Sequence, residues 1–163
     1  MTDSSRRRTC FLPDGRLTTE WFVEYHGRPF RAVKDKKRGL FLLSSDSDDS
    51  PGPEWSKYRP TEQSPVEWRR TAEPRDVDAY FSNTLWANLD GYRFEVGWYF
   101  VGDDTVSLRG GTPVDASRQG VDAAFDLYNH PYLERHEGGA YFTGEVPLVE
   151  LSDFVSERLD LQI

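Results

Sequence analysis

Cysteine occurs once, at Cys10, histidine only three times, and no apolar run approaches the 18 residues that a helix needs to span a bilayer. A lone cysteine excludes an intramolecular disulfide and any Cys-rich zinc site, and it fits a reducing compartment. Met1 to Thr9 holds no apolar stretch that could serve as a signal h-region, so the expected location is the cytoplasm, with no membrane contact. Basic residues are outnumbered, 20 Lys and Arg against 28 Asp and Glu, for a formal charge of −8. That balance argues against a nucleic-acid binder driven by phosphate neutralisation and favours a basic protein partner.

The usual signatures of catalysis are missing as well. No Gly-x-Ser-x-Gly elbow occurs, and Cys10 has no base beside it in sequence. Gly110-Gly111 lacks the third glycine and the Lys-Ser/Thr of the phosphate-cradling loops. His130 and His136 lie near Asp126, Glu134 and Glu137, but they are six residues apart with Pro131 between, so they cannot share a helical face as zinc ligands do. Asp46, Asp48 and Asp49 lack the glycine and glutamate that complete a calcium loop, since Pro51 and Lys57 stand there. Paired carboxylates carry no information in so acidic a chain. No catalytic residue, metal or cofactor is therefore expected.

What the chain does have is aromatic residues, 14% of the total, enough to separate it from disordered sequences. At 163 residues one domain is the default: a frayed tail over 1–9, with Arg6, Arg7 and Arg8 too few for a localisation signal, then a single domain over 10–163. Pro13-Asp14-Gly15 forms a turn. Trp21, Val23 and Tyr25 alternate with Phe22, Glu24 and His26, a strand with one face wholly aromatic or branched, and His26-Gly27 turns into Phe30, Ala32 and Val33, while Leu40 to Leu43 reads as an interior strand. A long acidic, Pro-rich loop follows at 44–65, and Val66, Trp68 and Arg70 suggest a short strand. Tyr92, Phe94, Val96, Trp98 and Phe100 alternate without a miss and turn at Gly102-Asp103-Asp104 into Val106 and Leu108, a hairpin with its even-numbered residues inward.

Helices are expected near 74–89, from Val77, Tyr80, Phe81, Leu85 and Leu89 ending at Gly91; near 117–129, from Val121, Ala124, Phe125 and Tyr128; and near 148–160, from Leu151, Phe154, Val155 and Leu159. Gly110, Gly111 and Pro113 read as a hinge-like joint. The expected class is α+β: a mainly antiparallel twisted sheet with about three helices packed on it.

Arg38-Gly-Leu-Phe-Leu-Leu43, the acidic stretch after it, Glu73-Pro-Arg-Asp-Val-Asp-Ala-Tyr-Phe81 and Leu148-Val-Glu-Leu-Ser-Asp-Phe154 resemble actinobacterial immunity proteins of polymorphic toxin systems, in the group around the immunity factor for tuberculosis necrotizing toxin, a secreted NAD glycohydrolase. The resemblance implies a non-enzymatic antitoxin that covers the active site of a cognate toxin, NAD-degrading or nuclease. It assigns no binding residue. Alternatives are an adaptor or secretion chaperone and a small hydrolase. From the residues themselves, the expected partner surface is the loop Asp46 to Tyr58, with Asp46, Asp48, Asp49 and Glu54 steering a basic cleft toward Trp55 and Tyr58, and with the turn Asp103-Asp104 as a second acidic surface.

Overall fold

The computed structural model describes residues 6–115, 117, 126–136 and 141–163. In chain order its strands are β1 (Arg8–Thr9), β2 (Glu20–Tyr25), β3 (Arg28–Asp35), β4 (Leu40–Ser45), β5 (Ser56–Tyr58), β6 (Glu67–Ala72), β7 (Ala79–Leu89), β8 (Tyr92–Phe100), β9 (Thr105–Pro113), β10 (Leu133–Arg135), β11 (Phe142–Pro147) and β12 (Ser152–Asp160). Every register recorded between them is antiparallel. The chain divides into two compact units, one of Met1–Thr9, Glu20–Asn83 and Arg158–Ile163, the other of Cys10–Thr19 and Thr84–Glu157. The division falls inside β7 and inside β12, and not at Gly110-Gly111.

The first unit has the strand order β7-β2-β3-β4-β6-β5. A two-residue turn at His26-Gly27, both at positive φ, sets Tyr25 opposite Arg28, as a hairpin of that length requires. One sheet face carries Val23, Tyr25, Phe30, Ala32, Phe41, Leu43 and Ala72, which form a core with Val77 and Trp55. β4 lies between β3 and β6, as the unbroken Leu40–Leu43 run predicts. On the opposite face, one row of cross-strand neighbours runs Phe81, Phe22, Arg31, Ser44, Arg69, Ser56. The row begins apolar, with Phe22 and Phe81 stacked at 5.7 Å, and becomes charged toward β5.

The second unit has the order β10-β11-β9-β8-β7 and its own core, with Leu85, Phe94, Val96, Val106, Leu108, Phe142 and Val146 at its centre. The hairpin β8–β9 forms, with Tyr92, Phe94, Val96, Phe100, Val106 and Leu108 buried and Arg93 and Glu95 not, but a register shift between Val96 and Tyr99 breaks the expected alternation, leaving Trp98 half-buried and packing Tyr99 against the core. The Pro13-Asp14-Gly15 turn also forms, closed by the Leu12 N–H donating to the Arg16 carbonyl.

The expected α+β class is corrected: no helix of seven or more residues occurs among the described residues, and the chain is mostly antiparallel sheet. Over 74–89 the helix is replaced by a 3-10 turn at Pro74–Asp76 followed by β7. Phe81, Leu85 and Leu89 are four apart, a spacing that fits a helical face and a strand face equally, and Asn83 and Ala87 between them are also buried, which only the strand period explains. Asp90-Gly91 closes a hairpin to β8, with φ of 50° and 85°, rather than stopping a helix. Over 148–160 a 3-10 turn, Leu148–Glu150, leads into β12. There Val155 and Leu159 are exposed, Phe154 alone is half-buried against the second core, and the strand pairs with β7. Most of the helix expected over 117–129, including Val121, Ala124 and Phe125, lies outside the described residues.

The hinge reading of Gly110 and Gly111 is also replaced. Arg93 pairs with Thr112 and Phe94 with Gly110, so Gly111 is the extra residue of a β-bulge. Gly110 sits at φ 138°, and a Cβ there would lie 3.1 Å from the Arg93 carbonyl oxygen. Gly110→Ala is therefore expected to lower stability by about 1–3 kcal/mol, measured as a lower urea midpoint with unchanged slope.

Candidate functional site

The loop singled out by the sequence lies wholly in the first unit, and it is tied to the rest of that unit by Trp55 and by its carboxylates. Ser44 and Ser45 belong to β4 and Ser56–Tyr58 to β5, which shortens the connection. Trp55 is 8% exposed, with its ring 4.8 Å from Phe30. It is a core residue, and the expectation that it anchors a partner is withdrawn. Burial of a ring that large is what fixes the loop to the sheet.

The loop carboxylates are engaged within the chain. Asp46 accepts from Arg31 Nη2 at 3.2 Å, and the same nitrogen lies 3.3 Å from Glu67 Oε1. Asp48 pairs with Arg7, which also donates to the Asp46 carbonyl oxygen, so the described part of the expected frayed tail is pinned to this loop. Glu54 pairs with Arg70 on β6. Asp49 is exposed, its N–H bonded to the Ser47 hydroxyl. The picture of a free acidic lure is thus corrected: Asp46, Asp48 and Glu54 face guanidinium groups of their own chain.

Tyr58 keeps the exposure that an anchor needs, at 39%, and its ring is covered on one side by the Arg69 guanidinium at 3.5 Å. Arg69 is in turn held by Glu67. Beside this pair lies an open groove of about 460 Å³ lined by Leu42, Glu54, Ser56, Arg69, Arg70 and Thr71. A second, narrower hollow borders Pro51–Trp55 and shares Glu54 and Arg70 with the groove. The sequence signal for Arg69 and Arg70 was present, as adjacent cations in a strand flanked by Glu67 and Trp68, but strand pairing was needed to bring them to the loop.

Asp103 and Asp104 lie in the second unit, exposed in the β8–β9 turn, where Asp104 accepts from the Tyr99 hydroxyl at 2.8 Å. Burial and the Asp104 hydrogen bond and charge raise the Tyr99 pKa above its ordinary value. The histidines considered for metal are separated: His130 Nε2 lies 2.8 Å from Asp90, and His136 Nε2 is 2.5 Å from the Thr143 hydroxyl. Among the described residues no group of three or more His, Cys, Asp and Glu is placed to hold a metal ion.

Charge is divided unequally. The first unit has 15 Lys and Arg against 14 Asp and Glu, a formal +1, and the second has 5 against 14, a formal −9, which together give the −8 of the whole chain. The acidic surplus therefore belongs to the unit that carries Asp103-Asp104, not to the loop.

Comparison with family models, with curated proteins and with solved structures returned no match.

Two predictions follow from the loop's attachment. Trp55→Ala should cost about 3–5 kcal/mol of stability in chemical unfolding, the range for an aromatic deleted from a core. The carboxylates on Arg31 should respond oppositely to pH. Burial raises the Asp46 pKa above the ordinary 3.8 despite Arg31, so its ionisation weighs against the fold as pH rises from 3.8 through the raised value. At Glu67 burial also acts upward, but hydrogen bonds from Arg69 and Ser44 and the charge of Arg31 outweigh it and set the pKa below 4.5. Its stabilisation is present above 4.5 and is lost as pH falls through the lowered value. Relative to wild type, Asp46→Asn should become more favourable and Glu67→Gln less favourable between pH 3 and pH 6, read as urea midpoints across that range.

Proposed function

We propose that this protein is a non-enzymatic immunity protein that acts in the cytoplasm, binding a cognate toxin domain and covering its active site. The observation that carries the reading is the Tyr58–Arg69 pair on β5 and β6. An exposed tyrosine is held against a fixed guanidinium beside an open groove, on a loop already ordered by Trp55. Tyrosine and arginine are the side chains that most often dominate binding energy at protein interfaces, and a surface ordered before encounter loses less entropy on binding. The −9 second unit supports the same reading, because a negative surface accelerates approach to a basic nuclease or nucleotide-binding cleft. The steering charge and the aromatic anchor thus sit on different units, where the sequence had combined them in one loop.

The test is direct inhibition. Purified wild-type chain should abolish the activity of the toxin domain encoded beside its gene at near-equimolar ratio and protect cells that express that domain; a toxin left fully active would overturn the reading. Within a working pair, Tyr58→Ala should weaken binding about 30-fold by calorimetry, equivalent to about 2 kcal/mol. Asp103→Asn with Asp104→Asn should instead slow association and flatten its salt dependence while leaving dissociation nearly unchanged.

A further inference from the structure

The narrower hollow, about 280 Å³, has a chemistry of its own. Tyr25, Phe30 and Trp55, each less than a tenth exposed, supply apolar ring surface, and Pro51 and Pro53 close one side. Two guanidinium groups stand over these rings, Arg28 5.1 Å from the Phe30 centroid and Arg70 4.9 Å from that of Tyr25. A single carboxylate, Glu54, lines the same hollow and pairs with Arg70. Two cations therefore meet one anion. The Glu54 side chain is 66% exposed, and an ion pair so open to water contributes little, so a competing carboxylate can replace it at small cost. Arg70 Nε, shielded from solvent, has no hydrogen-bond partner among the described residues. A buried donor without an acceptor raises the advantage of any rearrangement that supplies one.

We infer that this hollow binds an apolar ring or chain bearing a carboxylate, presented by an acidic-aromatic segment of the protein partner, with the apolar body in the hollow beside Pro51 and Pro53 and the carboxylate between Arg28 and Arg70 in place of Glu54. The volume suits one large side chain. Planar guanidinium groups recognise carboxylates in two-point fashion, and ring walls select the apolar body. The inference rests on the reading of this loop as a partner surface and adds the ligand chemistry. It also gives Glu54 a role opposite to steering: it occupies the site in the free protein.

Three small probes of one shape test it on the full chain: phenylacetate, neutral 2-phenylacetamide and cationic phenethylamine, followed by NMR amide shifts at Gly52, Glu54 and Trp55. Phenylacetate is expected to bind at least 5-fold more tightly than the amide, Arg28→Ala to weaken it at least 5-fold, and Glu54→Gln to tighten it at least 3-fold. Equal binding of the three probes, preference for the amine, or no shifts at all would overturn the proposal. A blocked hexapeptide with an internal Glu-Phe pair should compete with phenylacetate; failure to compete while phenylacetate binds would overturn the assignment to a partner segment. A cognate toxin that binds wild type, Arg28→Ala and Glu54→Gln alike would overturn this inference and leave the loop reading in place. Intact probe binding with no effect on the toxin would overturn the function instead.

Discussion

The alternation of side chains along a pleated strand governs this protein, and β7 is where it matters most. Successive residues of a strand leave it on opposite faces. Within the first unit Tyr80 packs on that unit's core, and within the second Leu85, Ala87 and Leu89 share one buried face. A slip of one residue would turn either set off its own core, so each unit fixes the register of its own part of the strand. The Asp90-Gly91 turn sets Leu89 opposite Tyr92 and hands the same alternation to β8.

Around the loop 46–58, packing and charge act at the same residues. Trp55 is buried against Phe30, and the guanidinium groups of Arg7, Arg31 and Arg70 pair with carboxylates of the same loop. The Arg31 pair with Asp46 and Glu67 lies in partly dehydrated surroundings, where ionised groups are tolerated only when matched. One acid accordingly has its pKa raised and the other lowered, although both touch the same nitrogen.

Where hydrophobic period and turn chemistry agreed, the hairpins could be read directly, β2–β3 with its His26-Gly27 turn and β8–β9 with its core as far as Val96, but not every face: Trp21 is exposed, Phe22 is buried, and the register shift after Val96 leaves Trp98 half-buried. The sequence misled where a spacing of four residues fitted both periods, as at Phe81, Leu85 and Leu89, and the Asp90-Gly91 dipeptide beside them was the local signal that could have decided the matter. In β12 only Phe154 packs against the core while Val155 and Leu159 are exposed, so their spacing described no continuous buried face. At the candidate site the loop and Tyr58 were legible from composition. The burial of Trp55 and the pairing of Asp46, Asp48 and Glu54 were not, because their partners Phe30, Arg31, Arg7 and Arg70 come from segments that only strand pairing and tertiary packing bring alongside.

The unequal division of charge has a consequence for how the two halves of the chain experience dissolved salt. Ion pairs such as Arg31–Asp46 and Arg31–Glu67 in the first unit are attractive, and mobile ions weaken them. The second unit, with 14 acids and 5 bases, carries net self-repulsion, which the same ions relieve. Raising the ionic strength therefore loosens one half of the molecule while it tightens the other, and the solution that best preserves the whole lies between the two extremes.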